Sequence, residues 1–402
     1  MIERHDGWRR RVILFFAGQC VTLFGSQIVQ MAIVWYVTLT TDSGGWVAAF
    51  SVCSYIPQFV VSFLGGVWAD RYDRKRLIIG ADALIAAVTL AMMLVMPRIE
   101  EENMLLGALL TMSLLRSVGA GIQNPAVSAV IPQLVPEEQL MRYNGINAAM
   151  QSAVQFAAPA AAAVILTMGT LRSALMIDIL TAALGIGALA CMVIPKREPA
   201  QEAASVLEEM GGGIRYAYKH RVIRNILTIY GLFIFLTVPS GYLSGLLVSR
   251  VYGDTYWYLT AVELVGFGGM TAGGLVMSVW KGFEKRSRTL AAGLAVFGAA
   301  AFCMGLSWNF PLYLVWMAAY GVALTAVQTT ITTMLQEKAE KGVQGRVFGL
   351  MGALYSLLYP MGMALFGPMA DCLPLEWLMI LSGIALTVMG GMVCRDPYLK
   401  EN

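Results

Sequence analysis

The sequence predicts an all-α integral membrane protein of twelve transmembrane helices, arranged as two pseudo-symmetric six-helix bundles. Three observations predict it. The chain of 402 residues is 58% hydrophobic and only 13% charged, whereas a soluble domain carries about 25% charged residues. Apolar runs that meet the length needed to cross a bilayer, about 20 residues, recur twelve times. One long polar stretch, 195–221, separates these runs six from six. Together these features exclude a disordered chain and an ordinary soluble enzyme.

The expected spans are 12–39, 46–69, 77–96, 104–131, 139–167, 172–194, 222–249, 256–280, 289–308, 311–334, 344–370 and 374–394. The domains are then an N-terminal bundle over 1–194, a cytoplasmic linker over 195–221 and a C-terminal bundle over 222–402. The linker holds Pro195, Pro199 and the run Gly211-Gly212-Gly213, with a short amphipathic helix expected at the membrane surface. The first run, Val12 to Thr40, follows a basic segment. It exceeds the roughly 7–15 residues of a signal-peptide core and no small-x-small site closes it, so it reads as a retained span.

Lys and Arg orient the spans. With the N-terminus inside, 24 of the 28 fall in inside segments; only Arg98, Arg172 and Arg250 fall outside, and Arg116 lies within a span. That asymmetry puts both termini and the linker in the cytoplasm, at the cell inner membrane. The net charge of +3 is small and gives no reason to expect nucleic acid. Six cysteines are scattered singly, so neither a metal site nor a disulfide framework is expected. The two histidines, His5 and His220, lie in polar flanks, which leaves proton chemistry within the membrane to carboxylates.

Taken in order, span one carries Gln19, Ser26 and Gln30 along one stripe, with Gln27 beside it. Span two ends in Gly65-Gly66-Val67-Trp68-Ala69-Asp70-Arg71-Tyr72-Asp73-Arg74-Lys75-Arg76. Topology alone accounts for basic residues there, but not for Asp70. Gly66 lies one turn before Asp70 on the same helix face, where it would let another helix approach closely. Asp82 in span three, near this basic loop, reads as structural.

Arg116 sits near the middle of span four, a placement that costs about 2.5–3.5 kcal/mol on insertion scales. Such a residue faces a cavity or a partner, and Gln123 follows it on the same face. Span five has a stripe of Asn147, Gln151 and Gln155, then Ala158-Pro159-Ala160-Ala161-Ala162-Ala163. Two carboxylates could load and release protons, Asp178 in span six and Glu263 in span eight, the alternative being a plain polar pairing. Tyr230, Tyr242 and Tyr320 could wall a cavity, and span ten adds Thr325, Gln328 and Thr332. Helix–helix hydrogen bonding is the other reading of these polar stripes. Gly65-Gly66 near the end of span two has a counterpart in Gly273-Gly274 near the end of span eight, as expected of parallel six-span repeats.

The stretch Gly66, Ala69, Asp70, Arg71, Arg74, Lys75, Arg76 resembles the loop 2–3 signature G-x-L-A-D-R-x-G-R-K-R of the major facilitator superfamily, with Trp68 for Leu and Asp73 for Gly. Pro132-Gln133-Leu134-Val135-Pro136 with Asn144, Gly213-Ile214-Arg215-Tyr216 and Gly345-Arg346-Val347-Phe348 are similar to the branch that includes macrolide-efflux proteins and the enterobactin exporter. The span-five run resembles the antiporter signature G-P-x-x-G-G with every Gly replaced by Ala.

The resemblance implies multidrug efflux: export of a bulky, mostly apolar compound by antiport against inward proton flow, with antibiotic resistance as its outcome. In that fold spans one, four, seven and ten surround the cavity. This favours Gln27, Gln30, Arg116 and Gln328 as lining residues, with Gln123, Tyr230 and Tyr320. Proton coupling falls to Glu263, Asp178 and Arg116. Asp70 would cap the N-terminus of span eleven at Gly345 and Arg346, a cytoplasmic gate completed by Gly66, Arg71 and Arg74. No cofactor is expected beyond the proton gradient. The expected partners are the lipid bilayer, protons and a small amphipathic substrate, for a monomer. Lipid flipping is the alternative. A sensor would need a larger soluble part, and no nucleotide loop or H-E-x-x-H motif suggests an enzyme.

Overall fold

The computed structural model describes residues 6–136, 139–192, 215–280, 282–340 and 343–395. Among them every regular element is helical, and twelve spans of 20 to 34 residues are long and apolar enough to cross a bilayer. At about 1.5 Å rise per residue the shortest still reaches about 30 Å, the thickness of the hydrocarbon core. The linker helix expected over 195–221 lies largely outside the described residues; 215–219 are helical.

The chain forms two compact units, Met1–Val37 with Cys53–Ala203, and Thr38–Val52 with Ala204–Asn402. The turn joining the first two spans thus belongs with the second unit.

The first unit is built from α1 (Asp6–Thr41), α2 (Gly44–Arg71), α3 (Arg74–Val95), α4 (Glu102–Leu134), α5 (Leu140–Met168) and α6 (Leu171–Ala190). α3 packs on α4 and α6, and α5 on α4 and α6. α1 and α6 meet through small residues: a Cβ at Gly18 would sit 3.4 Å from that of Ala188, the close approach that small residues allow between helices in lipid. Val12, Phe15, Phe16, Ile78, Val130, Ile131 and Leu189 form an apolar cluster.

The basic run after α2 stitches helix ends together around that cluster. The Arg74 guanidinium is buried and donates to the carbonyls of Ala69 (2.7 Å) and Ala129 (2.6 Å), near the ends of α2 and α4. Lys75 Nζ donates to the carbonyls of Ala190 and Met192, both at 2.7 Å, at the end of α6. A cation at a helix C-terminus satisfies orphan carbonyls and complements the helix dipole. Asp73, the departure from the signature Gly, is the N-cap of α3 and accepts from the Arg76 N–H at 3.1 Å.

The second unit holds α7 (Arg221–Gly241), α8 (Ser244–Val251), α9 (Tyr256–Trp280), α10 (Arg286–Gly305), α11 (Phe310–Lys338), α12 (Gln344–Cys372) and α13 (Leu375–Arg395). Its pairings repeat those of the first: α10 packs on α11 and α13 as α3 does on α4 and α6. Span seven is not the single helix expected over 222–249. Pro239 removes a donor from the last turn of α7. The N–H groups of Tyr242 (3.0 Å) and Leu243 (3.2 Å) both turn back to the Val238 carbonyl, which ends α7 and lets α8 begin.

In this unit the 42–45 turn is clasped by Asp371 and Arg250. Asp42 adopts the left-handed region (φ 47°), which Asp tolerates better than most residues. The Asp371 carboxylate accepts from the N–H groups of Gly44 (2.6 Å) and Gly45 (2.8 Å) and from the Ser43 hydroxyl (2.8 Å). Arg250 Nε donates to Asp42 Oδ1 at 2.9 Å, and its Nη2 lies 3.2 Å from Asp371 Oδ1. Asp371 therefore caps α2 from the end of α12, supplying an anion where the helix presents unpaired N–H groups.

Candidate functional site

In the first unit four helices, α1, α3, α4 and α6, converge on one polar centre. α4 contributes Arg116, whose side chain is 10% exposed, and α6 contributes Asp178, at 1%. Arg116 Nη1 donates to both Asp178 Oδ2 and Thr89 Oγ1. Thr89 on α3 donates to Asp178 Oδ2 at 3.0 Å, and Ser26 on α1 to Asp178 Oδ1 at 3.3 Å. An ion pair this far from water needs further hydrogen bonds to offset desolvation, and Thr89 and Ser26 provide them. Gln123, seven residues after Arg116 on the same face of α4, donates to Asp82.

The structure thus brings the predicted Arg116 and Asp178 into direct contact and adds Thr89, Ser26 and Asp82 to the set. Ser26 was legible as part of the span-one stripe. Thr89 carried no signal except its spacing of seven from Asp82. Gln30 donates to Ser54 Oγ at 3.2 Å, a helix–helix bond within this unit, while Gln27 is half-buried. On α5 Gln151 and Gln155 are exposed, turned away from the core of their own unit, and Ala158 and Ala162 are buried.

The second unit holds an aromatic cluster. Tyr313, Met317 and Tyr320 are buried along one face of α11. Glu263, on α9, is half-buried and lies within electrostatic reach of Tyr313 and Tyr320. The Tyr313 hydroxyl is buried with no hydrogen-bond partner among the described residues. Tyr320 packs on Phe297 at 4.3 Å and meets the break in span seven, where a Cβ at Gly241 would stand 2.5 Å from its hydroxyl. The hydroxyls of Tyr242 and Tyr355 lie 2.7 Å apart, and the Tyr242 ring is 4.0 Å from that of Tyr359. Tyr230 is buried on α7. Of this set, sequence reasoning missed Tyr313, Tyr355 and Tyr359; the signal available was helical spacing, four residues between the last two and seven between Tyr313 and Tyr320.

Gln328 is half-buried on α11, and its carbonyl accepts from Thr332 at 2.8 Å. A cleft of about 420 Å³ lies between α7 and α12, lined by Phe235, Leu350, Leu354 and Leu358 with Arg224 at its edge. None of the predicted cavity residues lines it.

At the predicted gate, Asp70 and Gly345 lie within α2 and α12, but the surroundings of the Asp70 side chain and of Gly345 lie outside what the structure describes. Arg71 and Arg346 are exposed. Two expectations change. Arg74 is turned inward as a helix-end donor. The close approach expected at Gly66 falls at Gly65. A Cβ at Gly65 would stand 2.5 Å from the Gly121 carbonyl oxygen on α4, whereas at Gly66 it would meet open space. One residue rotates a side chain by about 100° around a helix of 3.6 residues per turn. The same holds in the second unit: a Cβ at Gly273 would stand 2.7 Å from the Val322 carbonyl oxygen on α11, while at Gly274 its nearest neighbour is 4.0 Å away. The glycine repeat seen in the sequence is therefore a repeated helix contact, α2 on α4 and α9 on α11.

The Major Facilitator Superfamily profile matches residues 15–363. Macrolide efflux protein A of Streptococcus pyogenes is 30% identical over 404 aligned residues, covering 100% of this chain and 98% of that protein. Multidrug efflux pump Tap of Mycobacterium tuberculosis is 23% identical, covering 94% and 91% of the two chains. Among solved structures, a bacterial homologue of the iron transporter ferroportin in an inward-facing state matches with a TM-score of 0.70 at 15% identity, covering 96% of this chain and 99% of that one. That last likeness concerns the fold.

Proposed function

Because the chain belongs to the major facilitator superfamily, we propose that it is a secondary active exporter that moves bulky amphipathic molecules, macrolides among them, outward in exchange for protons. The buried Arg116–Asp178 pair carries the reading. A guanidinium at mid-span costs about 2.5–3.5 kcal/mol on insertion scales, and ionisable groups held inside the membrane mark ion pathways. Each proton moving inward brings about 2.3 kcal/mol per 100 mV of potential. The names of the relatives support an apolar drug as cargo, and the aromatic cluster of Tyr230, Tyr242, Tyr320 and Tyr355 is compatible with one, since aromatic rings with polar tips hold amphipathic ligands.

Glu263, within electrostatic reach of Tyr313 and Tyr320, is the second proton-coupling group in this reading, and Gln27 and Gln30 of the first unit and Gln328 of the second are its candidate substrate contacts. The protein sits in the inner membrane as a monomer with both termini cytoplasmic.

The test uses everted membrane vesicles with a radiolabelled macrolide. An acid lumen should drive uptake, and Glu263→Gln should abolish that drive while the protein remains in the membrane. Normal gradient-driven uptake by both Glu263→Gln and Asp178→Asn would remove the coupling assignment. Lipid translocation without macrolide uptake would replace the substrate class.

A further inference from the structure

Asp82 is the buried ionisable group that the reading above leaves unused. Its place beside the basic loop suggested a structural role, but its observed side-chain partner is an amide, not a cation. It is 1% exposed; one oxygen accepts from Gln123, and Oδ2 has no hydrogen-bond partner among the described residues. Leaving such an oxygen unsatisfied costs about 1–3 kcal/mol, more when the group is charged. A carboxyl that keeps its proton avoids the larger part of that cost.

The position of Asp82 has a pattern. α3 and α4 are joined by two rungs, Thr89 with Arg116 and Asp82 with Gln123. Each rung residue is seven positions from the next on its own helix, two turns on one face, so the rungs stand about 10 Å apart. The upper rung also holds Asp178 from α6. The groups facing Asp82 from the helices packed on α3 are thus Gln123 and, one rung away, Arg116 from α4, with Asp178 from α6. Asp82 and Asp178 lie close enough to act on each other electrostatically. Two buried acids share one observed cation, which in this structure stands with Asp178.

Resting on the antiport reading, we propose that Asp82 is a proton station of this chain, alternating with Asp178 for the single charge of Arg116. In this proposal the arrangement with Arg116 on Asp178 is the one in which Asp82 holds a proton. When a proton binds the Asp178 carboxylate, that acid becomes neutral and releases the guanidinium. Arg116 keeps its charge and moves to the lower rung, and Asp82 gives its proton to water on the side of the 72–74 turn. One proton enters at Asp178 and one leaves from Asp82, so charge and protons balance. Asp82 lies on the same side of Thr89 as that turn, which places release at the end carrying the basic run.

Two measurements on the full-length protein test this. Infrared pH titration of purified protein should show the C=O stretch of a protonated carboxylic acid that disappears in Asp82→Asn and survives in Glu263→Gln. A band that persists in Asp82→Asn overturns the proposal whatever the transport result. In proteoliposomes, Asp82→Asn should retain macrolide exchange without a gradient, within about twofold, and lose at least about tenfold of gradient-driven uptake, a split expected when only the coupled step is affected. Asp82→Glu should restore driven uptake with a displaced pH profile. Equal loss of exchange and driven uptake would mark Asp82 as structural; full retention of both would remove it from the path. If the wild-type protein shows no gradient-driven uptake, the antiport reading fails, and the infrared band alone decides whether Asp82 holds a proton.

Discussion

Arg116→Ala will destabilise the first unit by about 3–5 kcal/mol, the range for removing one partner of a buried ion pair. The substitution strips Asp178 of its cation and Thr89 of one neighbour at once. Asp178 is 1% exposed, so water cannot take the place of the guanidinium; the acid must bind a proton or stay charged in an apolar setting. The double variant Arg116→Met/Asp178→Leu should recover most of the loss, because apolar side chains of similar volume carry no desolvation penalty. Thermal unfolding of purified protein in detergent checks both, and a single variant as stable as wild type would contradict the pair. Transport separates the roles: the double variant should be stable yet unable to couple uptake to a proton gradient.

Gly65→Leu should lower the unfolding midpoint sharply and Gly66→Leu should barely move it, although the two are neighbours. The Gly65 position is closed by backbone, since an added Cβ would come 2.5 Å from the Gly121 carbonyl oxygen and 3.0 Å from Ile122 Cα. Backbone cannot rotate away as a side chain can, so α2 must separate from α4. Overpacking of this kind costs about 1–3 kcal/mol in cores, and more where backbone is met. At Gly66 the added side chain has open space. Gly273→Leu and Gly274→Leu should repeat the contrast in the second unit against Val322 on α11. Equal effects at the two members of either pair would disprove the shared helix contact.

Much of the architecture was legible because a bilayer imposes a local test. A run of about 20 apolar residues satisfies it without reference to the rest of the chain. The twelve runs therefore appear as twelve spans, and the repeated Gly-Gly pair appears as a repeated contact. Span seven was the exception. Pro239 was visible, but whether it bends a helix or ends one depends on where the following N–H groups turn, here back to Val238. Arg116 and Asp178 were each legible as costly residues, since an ionisable side chain in a span needs a reason. That they are partners was not, because 62 residues separate them in the chain.

What the sequence determined by itself is that this is a membrane protein of twelve spans, with ionisable groups held in them. Those properties follow from hydropathy, length and the cost of burying charge, each a sum over neighbouring residues. Tertiary structure alone decided who pairs with whom. It set Arg116 on Asp178, left Asp82 on an amide, assigned the close helix contact to Gly65 and set Asp371 over the start of α2. The reason is geometric: hydrogen bonds and backbone contacts act over about 3 Å, and only packing brings residues far apart in the chain within that distance.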